Sequence, residues 1–230
     1  MRSKAAHGPS PVHPARIMLV DDHPLIREGL AEVLGRERDL TICGEAEDRQ
    51  QALQLIPTTK PDLVIIDLAL KKSHGLELMK DIRAQFPKVR MLVVSMQDER
   101  LNARRVIRAG ASGYINKAEA ADHVVQAVRK VLQGGDYFSP DVMIDIIKGP
   151  ARPSQTNQHP GIEMLTDREL QVFELLGQGL ARREIAERLN VTISTLETHR
   201  ARIRDKLGYK NAQALLQAAI RYNHERNVGN

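Results

Sequence analysis

The sequence predicts two domains: an α/β domain on a doubly wound, five-stranded parallel sheet, then an all-α domain of four helices. Three observations carry this. Strand and helix patterns alternate between residues 16 and 134. Two of the strand runs, Leu63-Val64-Ile65-Ile66 and Met91-Leu92-Val93-Val94, are apolar without alternation, which marks strands buried on both faces. Beyond residue 163 helical periodicity continues and no strand pattern returns.

The elements follow in order. Ile17 to Val20 is a short apolar strand ending at Asp21-Asp22. Pro24 sits where a first helical turn begins, and Leu25, Ile26, Leu30, Val33 and Leu34 recur at helical spacing. Thr41 to Gly44 is a weaker strand, and Ala52 to Ile56 continues a helix that Pro57 is expected to stop. The third strand ends at Asp67, and a helix from Gly75 to Phe86 stops before Pro87. The fourth strand ends at Ser95, and its helix carries Leu101, Val106 and Ile107 as far as Gly110. Gly113 to Asn116 is a short fifth strand ending at Lys117, and a last helix through Val124, Val128 and Leu132 closes at Gly134-Gly135.

Residues 1–15 read as a disordered tail, 16–134 as the α/β domain, 135–163 as a linker and 164–226 as the helical domain. Within the linker, 141–148 has the pattern of a short helix, and 149–161 is a flexible Pro-, Ser-, Thr-, Asn- and Gln-rich stretch. The first helix of the second domain opens with a capping box, Thr166 and Glu169, and Gly177 and Gly179 end it. Three more helices follow, over Arg182–Leu189, Thr192–Leu207 and Asn211–Tyr222.

Composition narrows the function. The 230 residues are 42% hydrophobic, enough for packed cores, and no apolar run is long enough to span a bilayer, so no membrane partner is expected. Cys43 is the single cysteine, which excludes an intrachain disulfide and fits a cytoplasmic setting. A net charge of +5 leans toward an anionic partner such as nucleic acid. Trp is absent and Phe and Tyr number 3 and 4, too few for a base-stacking platform.

The chemistry gathers at the strand ends. Asp21 and Asp22 end the first strand, Asp67 the third, Ser95 the fourth and Lys117 the fifth. In a parallel sheet all of these open on one edge, the usual functional crevice. Three neighbouring carboxylates resist ionising together, and a hard divalent cation such as Mg²⁺ removes that penalty. The cation can then neutralise a phosphoryl group arriving at Asp67, whose carboxylate is a competent nucleophile toward phosphorus. Lys117 can pair with one phosphoryl oxygen and Ser95 can donate to another.

This constellation resembles the receiver domain of two-component response regulators. The resemblance implies a flavodoxin-like fold, with Mg²⁺ bound by Asp22 and Asp67, by Asp21 largely through water, and by the Ala69 carbonyl. It implies Asp67 as the phosphoacceptor, a sensor histidine kinase as phosphodonor, and Ser95 with Tyr114 as a switch pair. In that scheme Ser95 is drawn to the phosphoryl group and Tyr114 turns inward behind it. The chain departs from the pattern at Leu70-Lys71-Lys72, where the family usually has Met-Pro, and at Ala118, where Pro is common. Ala69 and Gln97 stand where side chains orient the water that ends the phosphorylated state. Ala69 also speaks against an Asp-nucleophile phosphatase, which wants an acidic residue two positions after its nucleophile, so no enzyme is expected. A receiver that is never phosphorylated and serves as a dimerisation or ligand module is the other reading of the altered loop.

In the helical domain, Leu196, Ile203 and Leu207 share one face of the third helix, with Arg200 at its edge. The opposite face carries Ser194, Glu197, Thr198, Ala201 and Asp205, flanked by basic residues. A helix of this kind can enter a major groove of double-stranded DNA. Leu165-Thr166, Arg168-Glu169, Ile185-Ala186, Thr195 to His199, Ile203 and Lys206-Leu207 resemble the LuxR-type helix-turn-helix domain, and the whole chain resembles the NarL/FixJ class of response regulators. The resemblance implies that Glu197, Thr198 and Ala201 face base edges, that Thr195, Arg202 and Lys206 face phosphates, and that His199 serves packing. Ser194 replaces a frequent basic residue. A phosphorylated homodimer is expected, with Asn211–Ala219 as a dimer helix carrying Ala214, Leu215 and Ala218, and RNA polymerase is a further candidate partner.

Overall fold

The protein is described from a computed structural model, which covers residues 13–70, 73–147, 161–189 and 191–228. Five strands, β1 (Ala15–Val20), β2 (Leu40–Ala46), β3 (Leu63–Ile66), β4 (Arg90–Ser95) and β5 (Gly113–Asn116), form one sheet in the order β2-β1-β3-β4-β5. Every pair is parallel. The intervening helices are α1 (Pro24–Gly35), α2 (Arg49–Thr59), α3 (Gly75–Gln85), α4 (Glu99–Ala109) and α5 (Ala120–Leu132). Met18, Val20, Val64, Ile66 and Val93 pack under α2 and α3, while Ile17, Leu19, Ile65, Leu92 and Val94 pack under α1 and α5. Winding reverses between β1 and β3, so a crevice opens there at the strands' carboxyl ends.

Local chemistry sets the helix ends. Asp48 accepts from the Gln51 amide and Asp98 from the Arg100 amide, each capping a helix start. Gly110 takes φ 105° at the end of α4, a left-handed turn that suits glycine. Pro57 does not stop α2, which runs on to Thr59. A proline in the last turn forfeits a single backbone bond, and the Lys60 amide closes the helix on Ile56 O at 2.8 Å.

The segment after α5 is more ordered than a flexible spacer. Tyr137 N donates to Ser112 O at 2.7 Å and Tyr137 O accepts from Tyr114 N at 2.8 Å, so Tyr137 bridges onto the outer edge of β5. Phe138 packs into the core under α3 and α4. Helix α6 (Pro140–Ile147) then lies on α4, with Val142 buried and the Ser139 amide on the Glu99 carboxylate at 2.9 Å. The expected flexible stretch 149–161 and the tail lie outside the described residues, apart from Gly161 and 13–15, and Ala15 is already in β1. Lys71 and Lys72 also lie outside them.

The helical domain comprises a 3-10 turn at Ile162–Met164, then α7 (Asp167–Gly177), α8 (Arg182–Arg188), α9 (Ile193–Leu207) and α10 (Ala212–Val228). Thr166 and Glu169 form the capping box in both directions, at 3.3 and 2.8 Å. Phe173 is the fully buried centre, tilted against Tyr222 with ring centroids 5.4 Å apart. Leu215 and Ala218, expected in a dimer contact, are buried inside the domain as part of this core. Among the described side chains of α10, the exposed apolar residues are Ala212, Leu216 and Ile220, one turn apart on the other side. Among the described residues no helix is long and apolar enough to cross a membrane.

Candidate functional site

The β1 and β3 ends bring Asp21, Asp22 and Asp67 together at the crevice, with Asp21 and Asp67 almost fully buried. Lys117, at the end of β5, reaches between them. Its ammonium lies 2.6 Å from Asp21 Oδ2 and 2.6 Å from Asp67 Oδ2. Burial alone would lower the Lys117 pKa, but Asp67 and Asp21 outweigh it and raise it. The Asp22 pKa is raised, first by burial and then by its two carboxylate neighbours, with His23 opposing. Asp22 Oδ1 is buried 2.9 Å from His23 Nδ1, yet the angles there do not make a hydrogen bond. The cluster therefore keeps an uncompensated acceptor, which a hard cation would satisfy. Asp21, Asp22, His23 and Asp67 each place a ligand atom within 4.8 Å of the others, so the donor set fits a divalent ion.

Ser95 is fully buried at the end of β4, and its hydroxyl accepts from Gln97 N at 3.4 Å. Tyr114 is buried on β5, where its hydroxyl donates to the Gln97 carbonyl at 2.7 Å. Ser95 and Tyr114 thus both meet the backbone of Gln97. Ala69 is half-buried two residues beyond Asp67, on a small cavity it shares with Gln97. Among the described residues there is no cis peptide bond, so Lys117–Ala118 is trans, and the Asn116 side chain accepts from the Ala118 amide at 2.9 Å.

On α9, Leu196 and Ile203 are buried, while Thr195, Thr198 and Arg202 face solvent. Thr192 caps the helix through the Thr195 amide at 3.1 Å. Thr198 donates back to Ser194 O at 3.0 Å. Glu197 is held by Arg200 at 2.7 Å, and Ala201 is half-buried beside them. Lys206 is turned inward: its ammonium sits on the buried Glu169 carboxylate at 2.6 Å and on Met164 O at 3.3 Å. His199 is half-buried, and burial with Arg168 and Arg202 nearby lowers its pKa.

Residues 17–129 match the response regulator receiver domain family, and residues 163–219 match the bacterial regulatory proteins of the luxR family. The uncharacterized transcriptional regulatory protein YxjL of Bacillus subtilis (strain 168) is 34% identical over 206 residues, which cover 89% of this chain and 93% of that protein. The chain is a response regulator with a LuxR-type DNA-binding domain. The RcsB response regulator of Salmonella typhimurium shares its architecture at 26% identity, with a TM-score of 0.68 over 90% of this chain and 97% of that one. A second RcsB structure, bound to promoter P1flhDC in the presence of the phosphomimetic BeF3−, is 25% identical with a TM-score of 0.64, over 90% and 98%.

In this response regulator the two domains touch through polar groups. Arg105 on α4 donates to Ile162 O at 3.2 Å, to Leu165 O at 2.7 Å and to the Asp167 carboxylate at 3.1 Å. Lys80 on α3 reaches the same carboxylate at 2.6 Å. Burial would raise the Asp167 pKa, but Lys80 and Arg105 prevail and lower it. His74 caps α3 by accepting from the Leu76 amide at 3.2 Å. Burial pushes its pKa down to about 4, with Arg105, Arg168 and Lys80 adding to the effect and Asp167 opposing. Gln97 Nε2 donates to the Glu174 carboxylate at 3.1 Å.

Sequence reading singled out Gln97 only for its place near the phosphoacceptor, and missed His74, Arg105 and Glu174. A signal was present. Asp167, Gln171 and Glu174 recur at helical spacing, continued by Gln178 at the C-cap, a polar stripe beside the apolar Leu170, Val172, Phe173, Leu175 and Leu176. Such a stripe fits a helix buried against a polar partner.

Proposed function

We propose that this response regulator takes a phosphoryl group onto Asp67 from a sensor histidine kinase, and that the phosphorylated chain binds double-stranded DNA as a homodimer. The observation that carries the reading is the convergence of Asp21, Asp22, Asp67 and Lys117 at the point where the sheet reverses its winding. Asp21, Asp22 and Asp67 would hold Mg²⁺, with the Ala69 carbonyl as a further ligand. Bound Mg²⁺ supplies charge neutralisation for the incoming phosphoryl group. An Asp67 carboxylate oxygen attacks phosphorus as the P–N bond to the kinase's phosphohistidine breaks and its imidazole leaves, and the ammonium of Lys117 is close enough to move from that carboxylate onto a phosphoryl oxygen. The Ser95 hydroxyl donates to another, and Tyr114 fills the space behind it. Incubation with acetyl phosphate and Mg²⁺ should shift the chain on a phosphate-affinity gel, and Asp67→Asn should remove the shift. An equal shift in the variant would place the acceptor elsewhere.

The readout runs through α9. Glu197, Thr198 and Ala201 are assigned to base edges: glutamate accepts from cytosine N4, and the Thr and Ala methyls suit the thymine methyl. Thr195, Arg202 and Lys206 are assigned to phosphates, and Lys206 must leave Glu169 to reach one. The stripe of Ala212, Leu216 and Ile220 suits the dimer contact, which brings two weak half-sites together. The target places the protein in the cytoplasm. Arg202→Ala should weaken binding to every sequence and reduce the salt dependence by about one phosphate contact. Thr198→Arg should instead change the sequences recovered in a binding-site selection. Unchanged preference in Thr198→Arg would remove α9 from the groove.

A further inference from the structure

We propose that Gln97 is a positioning residue that ties the switch pair to the DNA-binding domain, and that phosphorylation tightens the contact between domains instead of releasing it. The proposal rests on the reading of Ser95 and Tyr114 as the switch. Three bonds meet at Gln97. Its amide donates to the Ser95 hydroxyl, its carbonyl accepts from the Tyr114 hydroxyl, and its side chain donates to Glu174 on α7. Gln97 and Glu174 are both buried, and both line a cavity of about 40 Å³ that also touches Ala69, two residues past Asp67. Any movement of Ser95 toward a phosphoryl group therefore reaches α7 through one residue.

The direction of the effect follows from what the docked arrangement covers. Tyr114 is buried with its hydroxyl on Gln97, the inward position that the phosphorylated state requires. In the same arrangement Thr195, Thr198 and Arg202 are exposed, and so are Ala212, Leu216 and Ile220. Docking thus leaves these outward side chains of α9 and the free stripe of α10 open to solvent, so release is not needed to bare them. An outward Tyr114 would withdraw the donor from the Gln97 carbonyl and loosen the grip on Glu174. By linkage, a contact that inward Tyr114 strengthens must in turn favour inward Tyr114.

The test uses the full chain in a Cys43→Ser background, with spin labels on Glu28→Cys and Glu187→Cys, both exposed, diluted with unlabelled chain. Beryllofluoride with Mg²⁺ should narrow the distance distribution between the domains. Gln97→Ala should lower the ratio of docked to undocked chains about tenfold, the worth of a hydrogen bond to a charged group. Gln97→Glu alone should also open the contact, and Gln97→Glu with Glu174→Gln should restore it by exchanging donor and acceptor. A wider or longer distribution in the parent with beryllofluoride would overturn the proposal, and so would a Gln97→Ala chain that behaves as the parent. An unresponsive parent whose Asp67 still takes a phosphoryl group sinks this proposal alone, whereas failure of phosphorylation sinks the switch reading with it.

Discussion

The Lys117→Met chain should be about 3–5 kcal/mol less stable than the parent when divalent cations are chelated. Lys117 is the single cation in contact with both Asp21 and Asp67 among the described residues, and all three side chains are at most 5% exposed. Methionine keeps much of the volume but leaves two buried carboxylates facing each other and Asp22 with no positive charge between them. Removing one partner of a buried ion pair costs far more than the pair itself contributes, because the remaining charge stays desolvated. Added Mg²⁺ should recover most of the loss. It should also stabilise the variant more than the parent, since Lys117 competes with a cation for the same two oxygens. Urea denaturation in chelator and in Mg²⁺ measures both effects. Equal midpoints in chelator would mean that Lys117 is not holding the carboxylates together.

Gly75→Ala should be comparably damaging for a steric reason. A Cβ at Gly75 would lie 2.2 Å from Asp67 O, 2.9 Å from Leu68 Cα and 3.0 Å from Asp67 C. All three are backbone atoms, so no side chain can step aside. The approach is close because the Gly75 amide donates to Leu68 O at 2.9 Å, which pins the start of α3 to the end of β3. The methyl must push α3 away or drag Asp67 out of place. The expected cost is at least about 3 kcal/mol, the upper part of the range for overpacking, together with loss of the phosphate-affinity shift. Gly29→Ala is the control: it lies within α1 with nothing within 4 Å of the new methyl, and should stabilise by about 0.5–1 kcal/mol. A Gly75→Ala chain that phosphorylates normally would show that β3 and α3 tolerate separation.

The α/β architecture was legible because buried parallel strands leave an unmistakable pattern. Leu63–Ile66 and Met91–Val94 are apolar throughout, and the polar residues that follow them fall on one edge of the sheet. Asp21, Asp67 and Lys117 could therefore be brought together without coordinates. What stayed hidden depends on which face of a helix meets another element. Leu215 and Ala218 fit a dimer contact as well as a core, and packing against α7 decided for the core. Glu174 drew no notice because carboxylates are usually solvated, yet here it is buried and accepts from the Gln97 side chain of the opposing domain. Lys206 is basic and near the end of α9, but the capping carboxylate of Glu169, supplied by a different helix, claims it.

The bridge that Tyr137 makes to β5 bears on how such proteins could be recombined. Tyr137 satisfies backbone groups of Ser112 and Tyr114 at the outer edge of the sheet, and α6 covers α4 beside it. A receiver cut at residue 134 would leave that edge bare and ready to pair with another chain, the usual route to aggregation. The transplantable module therefore ends after Ile147, where α6 ends, and chimaeras that exchange DNA-binding domains should be joined beyond that point.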